Sequence, residues 1–149
     1  MKKYLFPVVC CTFLIINACC CKLPQSKIKV KELIKTDKSW NSTVLPDYPK
    51  KKPQITVLKI TIPPKAELPM HEHPVINVGY MIKGKLTVIT EDGKTLQLNE
   101  GDPIVETVNT WHYGKNEGDE SAEIVVVYVG TKDSLLTVKK QANDIKENN

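Results

Sequence analysis

From residue 55 onward, short runs rich in β-branched residues alternate with residues that favour turns. The runs include ITVLKITI at 55–62, LTVIT at 86–90 and AEIVVVYVG at 122–130. The Pro63-Pro64 pair and the Glu-Asp-Gly and Asn-Glu-Gly-Asp clusters separate them, as is typical of strands joined by tight turns. About eight such runs follow at steady spacing, without sustained helical periodicity. We therefore predict an all-β domain over residues 55–138, a small antiparallel β-barrel or jelly roll.

The amino terminus has a different composition. Lys2 and Lys3 precede an apolar run at residues 5–16, which is shorter than the about 20 residues needed to span a bilayer. This arrangement is typical of an export signal, with a noncleaved anchor or a buried helix as the alternative. All five cysteines lie within the first 21 residues. A disulfide framework for the rest of the chain is therefore excluded.

The sequence INAC at residues 16–19 resembles the lipobox of bacterial lipoproteins, in which cleavage precedes the cysteine and lipid is attached to its sulfur. Asn17 is an unusual residue within such a box. We expect residues 1–18 to form a signal peptide of the lipoprotein or the secretory type. The exported protein would then be periplasmic, with lipidated Cys19 anchoring it to a membrane, or secreted.

Residues 19–54 are rich in lysine and proline, and we expect a tether followed by an amino-terminal arm. Within the arm, IKVKELI at 28–34 alternates apolar and polar residues and predicts an edge strand. The three prolines in LPDYPKKKP at 45–53 exclude a helix or a central strand there. Residues 139–149 are expected to be a polar tail.

The charge distribution argues against nucleic-acid binding. The formal net charge is only +4, and all 21 basic residues are lysines, so the planar fork of arginine is absent. The lysines are scattered, and only 6% of residues are aromatic. A basic patch interleaved with aromatic residues, typical of nucleic-acid binders, is therefore not expected.

Two of the three histidines stand one residue apart, at His71 and His73. In a strand their imidazoles would project from the same face and could chelate one divalent ion. Asn77 would share that face if Pro74 only bends the strand. His112, from a later strand, could complete a facial triad. Three nitrogen ligands suit iron, manganese, zinc, nickel or copper, and leave coordination positions open.

The spacing around these histidines resembles the cupin superfamily, whose first motif runs G-x5-HxH-x3,4-E-x6-G. His71 and His73 fit the histidine pair, Asn77 occupies the glutamate position, and Gly84 closes the motif. The leading glycine is absent, since Lys65 or Ala66 stands there. The resemblance implies a cupin barrel over roughly residues 55–138.

The second cupin motif, G-x5-P-x-G-x2-H-x3-N, is matched between residues 101 and 116. Gly101 opens it, His112 falls on the histidine and Asn116 on the final asparagine. Thr107 and Asn109 replace the proline and the inner glycine. The resemblance therefore implies a metal site formed by His71, His73 and His112.

Asn77 stands where the family has a carboxylate ligand. An amide oxygen is a neutral and weaker ligand, so Asn77 could ligate the metal or could instead orient water or substrate. Thiol dioxygenases and diketone-cleaving dioxygenases of this superfamily are similar in using three histidines without that carboxylate. Glu106, just before His112's strand, is a second catalytic candidate as general base or as partner of a ligand; an ordinary surface glutamate is the alternative.

Two classes of function follow from the resemblance to small single-domain bacterial secreted cupins. In the first, the divalent metal site acts on a small molecule, for example as a metal-dependent dioxygenase or isomerase. In the second, the barrel is a non-enzymatic ligand-binding or sensor protein, with or without metal. Small cupins often pair through edge strands, so a homodimer is also expected.

Lipidation at Cys19 can be tested directly. If Cys19 carries the lipid, the Cys19→Ser protein should move from the detergent phase to the aqueous phase in Triton X-114 partitioning, because its acyl anchor is lost. Cys21→Ser is the matched control and should partition like the wild type. Unchanged partitioning of Cys19→Ser would contradict lipidation at that residue.

Overall fold

The structure, a computed structural model, describes residues 27–141. The expected signal peptide, Cys19 and residues 142–149 of the expected polar tail lie outside this range. Between residues 27 and 141, no helix is long and apolar enough to cross a membrane.

The described residues form nine β-strands. In chain order they are β1 (Pro53–Ile62), β2 (His71–Glu72), β3 (Ile76–Lys83), β4 (Lys85–Thr90), β5 (Thr95–Asn99), β6 (Pro103–Val105), β7 (His112–Lys115), β8 (Ala122–Thr131) and β9 (Val138–Lys139). The prediction of an all-β protein is confirmed.

The strands make two antiparallel sheets. One has the order β1-β8-β3-β6, and the other has the order β5-β4-β7-β2-β9. Buried apolar residues of both sheets, such as Ile124 and Val126 from the first and Leu86 and Val88 from the second, share one core. The jelly-roll prediction is therefore confirmed, although the two sheets are hydrogen-bonded separately and do not close into a continuous barrel.

The central strand β8 shows why this sequence folds as a sheet with one buried face. Its residues alternate strictly between buried and half-buried positions, as expected for a strand with one face in the core. Ile124, Val126 and Tyr128 point inward and are at most 3% exposed. Full burial of each such side chain contributes about 1.5–3 kcal/mol. Flanking strands β1 and β3 pair with β8 along most of its length.

Pro74 does more than bend a strand. The chain leaves β2 after Glu72 in the five-stranded sheet and enters β3 at Ile76 in the four-stranded sheet. Proline cannot donate a hydrogen bond to either ladder, so the crossing occurs where the pairing is interrupted. As a result, His71 belongs to one sheet and Asn77 to the other, rather than to one continuous strand.

The predicted edge strand at residues 28–34 is not formed; this segment has no regular secondary structure. Its alternating pattern supplies apolar side chains but no partner for the backbone hydrogen bonds, and Leu33 and Ile34 remain about half exposed. The arm instead contacts the four-stranded sheet further along. The amide of Trp40 donates to the carbonyl of Val105 over 2.9 Å, and Ser39 is buried.

Gly84 and Gly93 provide a matched test of the turn chemistry. Both have a left-handed φ, of 76° and 85°, so alanine at either position should cost about 1 kcal/mol. A Cβ at Gly84 would also lie 3.1 Å from the Cα of Ala122, whereas a Cβ at Gly93 would meet nothing within 4 Å. Chemical denaturation should therefore show about 2–3 kcal/mol lost for Gly84→Ala and about 1 for Gly93→Ala. Equal losses would contradict the role assigned to the close approach at Gly84.

Candidate functional site

Three imidazoles meet at the inner surface of the five-stranded sheet. His71 in β2 is directly paired with His112 in β7, and His73 follows β2 in a bridge to Val108. One ring nitrogen from each histidine lies within 4.8 Å of the other two. His73 and His112 are only 3% and 2% exposed. The structure therefore brings together the three histidines that the sequence nominated as metal ligands.

Each ring is oriented by a hydrogen bond to a backbone carbonyl. The Nδ1 atoms of His71, His73 and His112 lie 2.7, 2.8 and 2.8 Å from the carbonyl oxygens of residues 69, 136 and 110. Since a carbonyl only accepts, each Nδ1 must carry the hydrogen. Nε2 is then the nitrogen left for a ligand, as in metal sites whose histidines are fixed by a carbonyl or carboxylate behind the ring.

The hydroxyl of Thr107, the residue at the motif's proline position, adds to this orientation. Thr107 is fully buried, and its Oγ1 lies 3.2 Å from His112 Nδ1. Thr137 is placed in the same way behind His73, with its Oγ1 3.2 Å from Nδ1. Sequence reasoning did not assign either hydroxyl to the site.

A buried carboxylate contacts two of the three imidazoles. Glu106 follows β6, and its Oε2 lies 3.0 Å from His73 Nε2 and 3.2 Å from His112 Nε2. Its side chain is 12% exposed, which contradicts the alternative of an ordinary surface glutamate. The hydroxyl of Ser39 donates to the carbonyl of Glu106 over 2.8 Å, so the amino-terminal arm helps to hold this residue.

These contacts shift the pKa values of the metal-free site. Burial alone would raise the pKa of Glu106, but hydrogen bonds from His112 and His73 hold that pKa at about 2. Burial would lower the pKa of His73, but the hydrogen bond to Glu106 and its charge raise the pKa above the ordinary value. The pKa of His71 is lowered, chiefly by burial.

Asn77 is fully buried on β3, and its backbone carbonyl accepts a hydrogen bond from the amide of Glu106. Its Nδ2 is 3.5 Å from the carbonyl of Val75, and its Oδ1 has no hydrogen-bond partner among the described residues. An unpaired buried amide oxygen costs about 1–3 kcal/mol. It is therefore available to accept a hydrogen bond from a bound water or ligand.

A pocket of about 280 Å³ adjoins the histidines. Its walls are mainly aliphatic and come from both sheets. The polar side chains lining it include His71, His73, Glu106, Tyr128, Thr137 and Lys139. Burial raises the pKa of Tyr128 to about 12, so its hydroxyl stays protonated at neutral pH. Tyr128 was missed from the sequence, although the alternation of β8 places it on the buried face.

Met81, Trp111 and Asn116 lie outside this cluster. Met81 is fully buried in the core and does not line the pocket. The ring of Trp111 lies 5.6 Å below the ammonium of Lys140. Asn116 has a structural role, since its Nδ2 donates to three backbone carbonyls, those of residues 62, 63 and 120.

Two residues that replace glycines of the cupin motifs keep the backbone conformation that glycine favours. Lys65 and Asn109 have φ values of 60° and 50°, in the left-handed region that non-glycine residues rarely adopt. Asparagine tolerates this conformation better than most residues. The motif geometry is therefore retained without its glycines.

Two facing antiparallel sheets, with histidines on the inner surface of one of them, define a double-stranded β-helix. Residues 58–128 match the family model described as a cupin domain. These residues therefore form a domain of the cupin superfamily.

Solved structures share this fold. A conserved Klebsiella pneumoniae protein with a double-stranded β-helix domain is 22% identical; the match covers 58% of this chain and 75% of that chain, with a TM-score of 0.50. The DMSP lyase DddQ from Ruegeria pomeroyi is 17% identical, with coverage of 58% and 43% and a TM-score of 0.51.

The polyketide cyclase RemF from Streptomyces resistomycificus is 16% identical, with coverage of 59% of this chain and 63% of that chain and a TM-score of 0.50. The match to the lyase spans less than half of that protein. At these identities the likeness establishes the fold alone. No curated protein matches the chain.

The shifted pKa values predict how the metal-free protein responds to pH. The folded pKa of Glu106 lies below its ordinary 4.5, so its stabilisation is present above pH 4.5 and is lost as pH falls toward 2. The folded pKa of His73 lies above 6.5, so its stabilisation is present below pH 6.5 and is lost as pH rises through the folded pKa. The pair should therefore stabilise most between pH 4.5 and 6.5, by at most about 3 kcal/mol.

Thermal unfolding in EDTA checks this window. The Tm difference between wild type and Glu106→Gln should be largest between pH 4.5 and 6.5 and should shrink on both sides. A Tm difference that is constant from pH 3 to pH 9 would contradict the ion pairing.

Proposed function

We propose that this protein is a metal-binding cupin that acts on a small organic molecule as a metal-dependent enzyme. The observation that carries the proposal is the convergence of three imidazoles, each fixed through Nδ1 by a backbone carbonyl. Three rings, two of them buried, that direct the same nitrogen toward one point are typical of a ligand set.

The residues present fit a divalent transition metal. Two ligands of one ion, each about 2.1 Å from it, stand about 3.0–4.2 Å apart, which is compatible with nitrogens that all lie within 4.8 Å of one another. Imidazole donors suit iron, manganese, zinc, nickel and copper better than calcium or magnesium, which prefer oxygen ligands. The unpaired Oδ1 of Asn77 is consistent with a further bound group.

A divalent ion held there would act as a Lewis acid or, for a redox metal, would support oxygenation. The protein's own contribution is binding and orientation. Aliphatic walls including Ile60, Leu68 and Val126 would bury an apolar body and exclude water. His71, Glu106 and Lys139 would meet the polar end of the molecule, and the hydroxyl of Tyr128 could donate a hydrogen bond to it.

The fold does not select the reaction, since it carries a lyase in one matched structure and a cyclase in another. We therefore propose a substrate class and not a substrate: a small molecule with an oxygen-bearing polar group and a hydrocarbon body that fits about 280 Å³. A dioxygenase and an isomerase are the two activities this site would serve.

A second candidate is a non-enzymatic ligand-binding protein without metal. The observation that favours it is the pairing of Glu106 with His73 and His112, since protonated imidazoles would satisfy the carboxylate without an ion. The pocket would then bind its ligand through the aliphatic walls alone.

Export and homodimerisation are also proposed. Export is supported by the amino-terminal lysines, apolar run and cysteine already described, and would place the domain in the periplasm, at a membrane through Cys19, or outside the cell. A homodimer is supported by exposed apolar side chains on the outer face of the four-stranded sheet, among them Ile55, Val57 and Val78. Light scattering of the purified protein distinguishes dimer from monomer.

Metal analysis tests the proposed function. Protein purified without chelator should contain about one divalent transition metal per chain, and His71→Ala/His112→Ala should contain almost none because only His73 remains. Circular dichroism confirms that the variant is folded. Iron, manganese, nickel or copper would favour oxygenation, and zinc would favour Lewis-acid isomerisation. Absence of bound metal in the wild type after loading with each ion would overturn the metal site and leave the ligand-binding candidate.

A further inference from the structure

The register between β3 and β6 places Glu106 opposite Asn77. Val78 pairs with Val105, and Tyr80 pairs with Pro103. One step further along the pair, the amide of Glu106 donates to the carbonyl of Asn77 over 3.2 Å. Directly opposite residues of an antiparallel pair project their side chains from the same face, with Cβ atoms about 4.5–5.5 Å apart. Both side chains therefore enter the interior from neighbouring positions.

When both imidazoles are neutral, the contacts of Glu106 with His73 and His112 place acceptors against acceptors. In a neutral imidazole whose Nδ1 carries the hydrogen, Nε2 presents a lone pair. The Oε2 of Glu106 lies 3.0 and 3.2 Å from two such nitrogens, and a carboxylate oxygen also presents only lone pairs. Either protons on the two Nε2 atoms or a bound cation must lie between these groups. Two ligands bound at right angles to one ion, about 2.1 Å away, stand about 3.0 Å apart.

We infer that Glu106 is the fourth ligand of the metal site. Glu106 follows β6, which pairs with β3, and β3 carries residue 77, the position where the family has its carboxylate. This inference rests on the proposed function. The neutral residue at 77 fits it, because carboxylates at both 77 and 106 would put two negative charges next to each other in the interior. One carboxylate is thus retained, and its position has changed from β3 to the end of β6.

The amino-terminal arm holds the new ligand in place. Ser39, which is 5% exposed, donates its hydroxyl to the Glu106 carbonyl, and Trp40 bonds to the preceding residue. The Glu106 backbone is therefore tied to β3 on one side and to the arm on the other. A ligand that follows an edge strand without these hydrogen bonds would be held less firmly.

Cobalt binding separates this inference from the proposed function. Co²⁺ is titrated into metal-free wild type, Glu106→Gln and Glu72→Gln, with the affinity measured by chelator competition and the ligand set reported by the visible absorption of Co²⁺. Glu72 lies between His71 and His73 in sequence, but its side chain has the opposite strand parity, so Glu72→Gln is a control for the same loss of charge.

Glu106→Gln should bind Co²⁺ at least about 100-fold more weakly and with a changed spectrum, because removal of even an outer partner of a ligand costs about 10- to 100-fold. Glu72→Gln should match the wild type. Equal affinity and an unchanged spectrum for folded Glu106→Gln would overturn the inference while leaving the three-histidine site intact. Absence of Co²⁺ binding by the wild type would instead overturn the proposed function itself.

Moving the carboxylate back provides an independent test that does not need Glu106→Gln to fold. Asn77→Glu/Glu106→Gln has one carboxylate at the family's usual position. It should bind Co²⁺ within about tenfold of the wild type. A folded double variant that binds Co²⁺ about 100-fold more weakly than the wild type would count against the exchange of positions.

Discussion

The candidate site depends on three hydrogen bonds from imidazole Nδ1 atoms to backbone carbonyls. They fix the tautomer, the ring plane and the direction of Nε2 for His71, His73 and His112. The accepting carbonyls belong to three separate segments of the chain, which precede β2, β7 and β9. The geometry of the site is therefore built into the backbone, and any ligand that binds there meets nitrogens already oriented.

The crossing at Pro74 is what gives the site two walls. The five-stranded sheet supplies His71 and His112, and His73 follows its strand β2. The four-stranded sheet supplies Asn77 and Tyr128, and Glu106 follows its strand β6. The pocket between them has aliphatic walls and one polar end. A fold of this kind can exchange a ligand between neighbouring strands, because residues opposite each other reach nearly the same point in the interior.

The sequence predicted those features of the structure that depend on local residue preferences or on periodic patterns. Strand alternation and turn residues predicted the all-β fold, and the spacing of the histidines with Gly84, Gly101 and Asn116 predicted which side chains would meet. The edge strand expected at residues 28–34 failed because strand formation needs a partner, which alternation does not reveal. The position of Glu106 in the interior depends on the register of β3 with β6. The role of Ser39 depends on its hydrogen bond to Glu106, a residue 67 positions further along the chain. Neither can be deduced from spacing alone.

Anomalous diffraction from crystals of the metal-loaded protein, recorded at the absorption edge of the bound metal, tests the central claim most directly. The account predicts one anomalous peak about 2.1 Å from the Nε2 atoms of His71, His73 and His112, with an Oε atom of Glu106 at a similar distance. It would be contradicted by crystals grown with the metal that show no peak between the three rings and keep Glu106 hydrogen-bonded to His73 and His112.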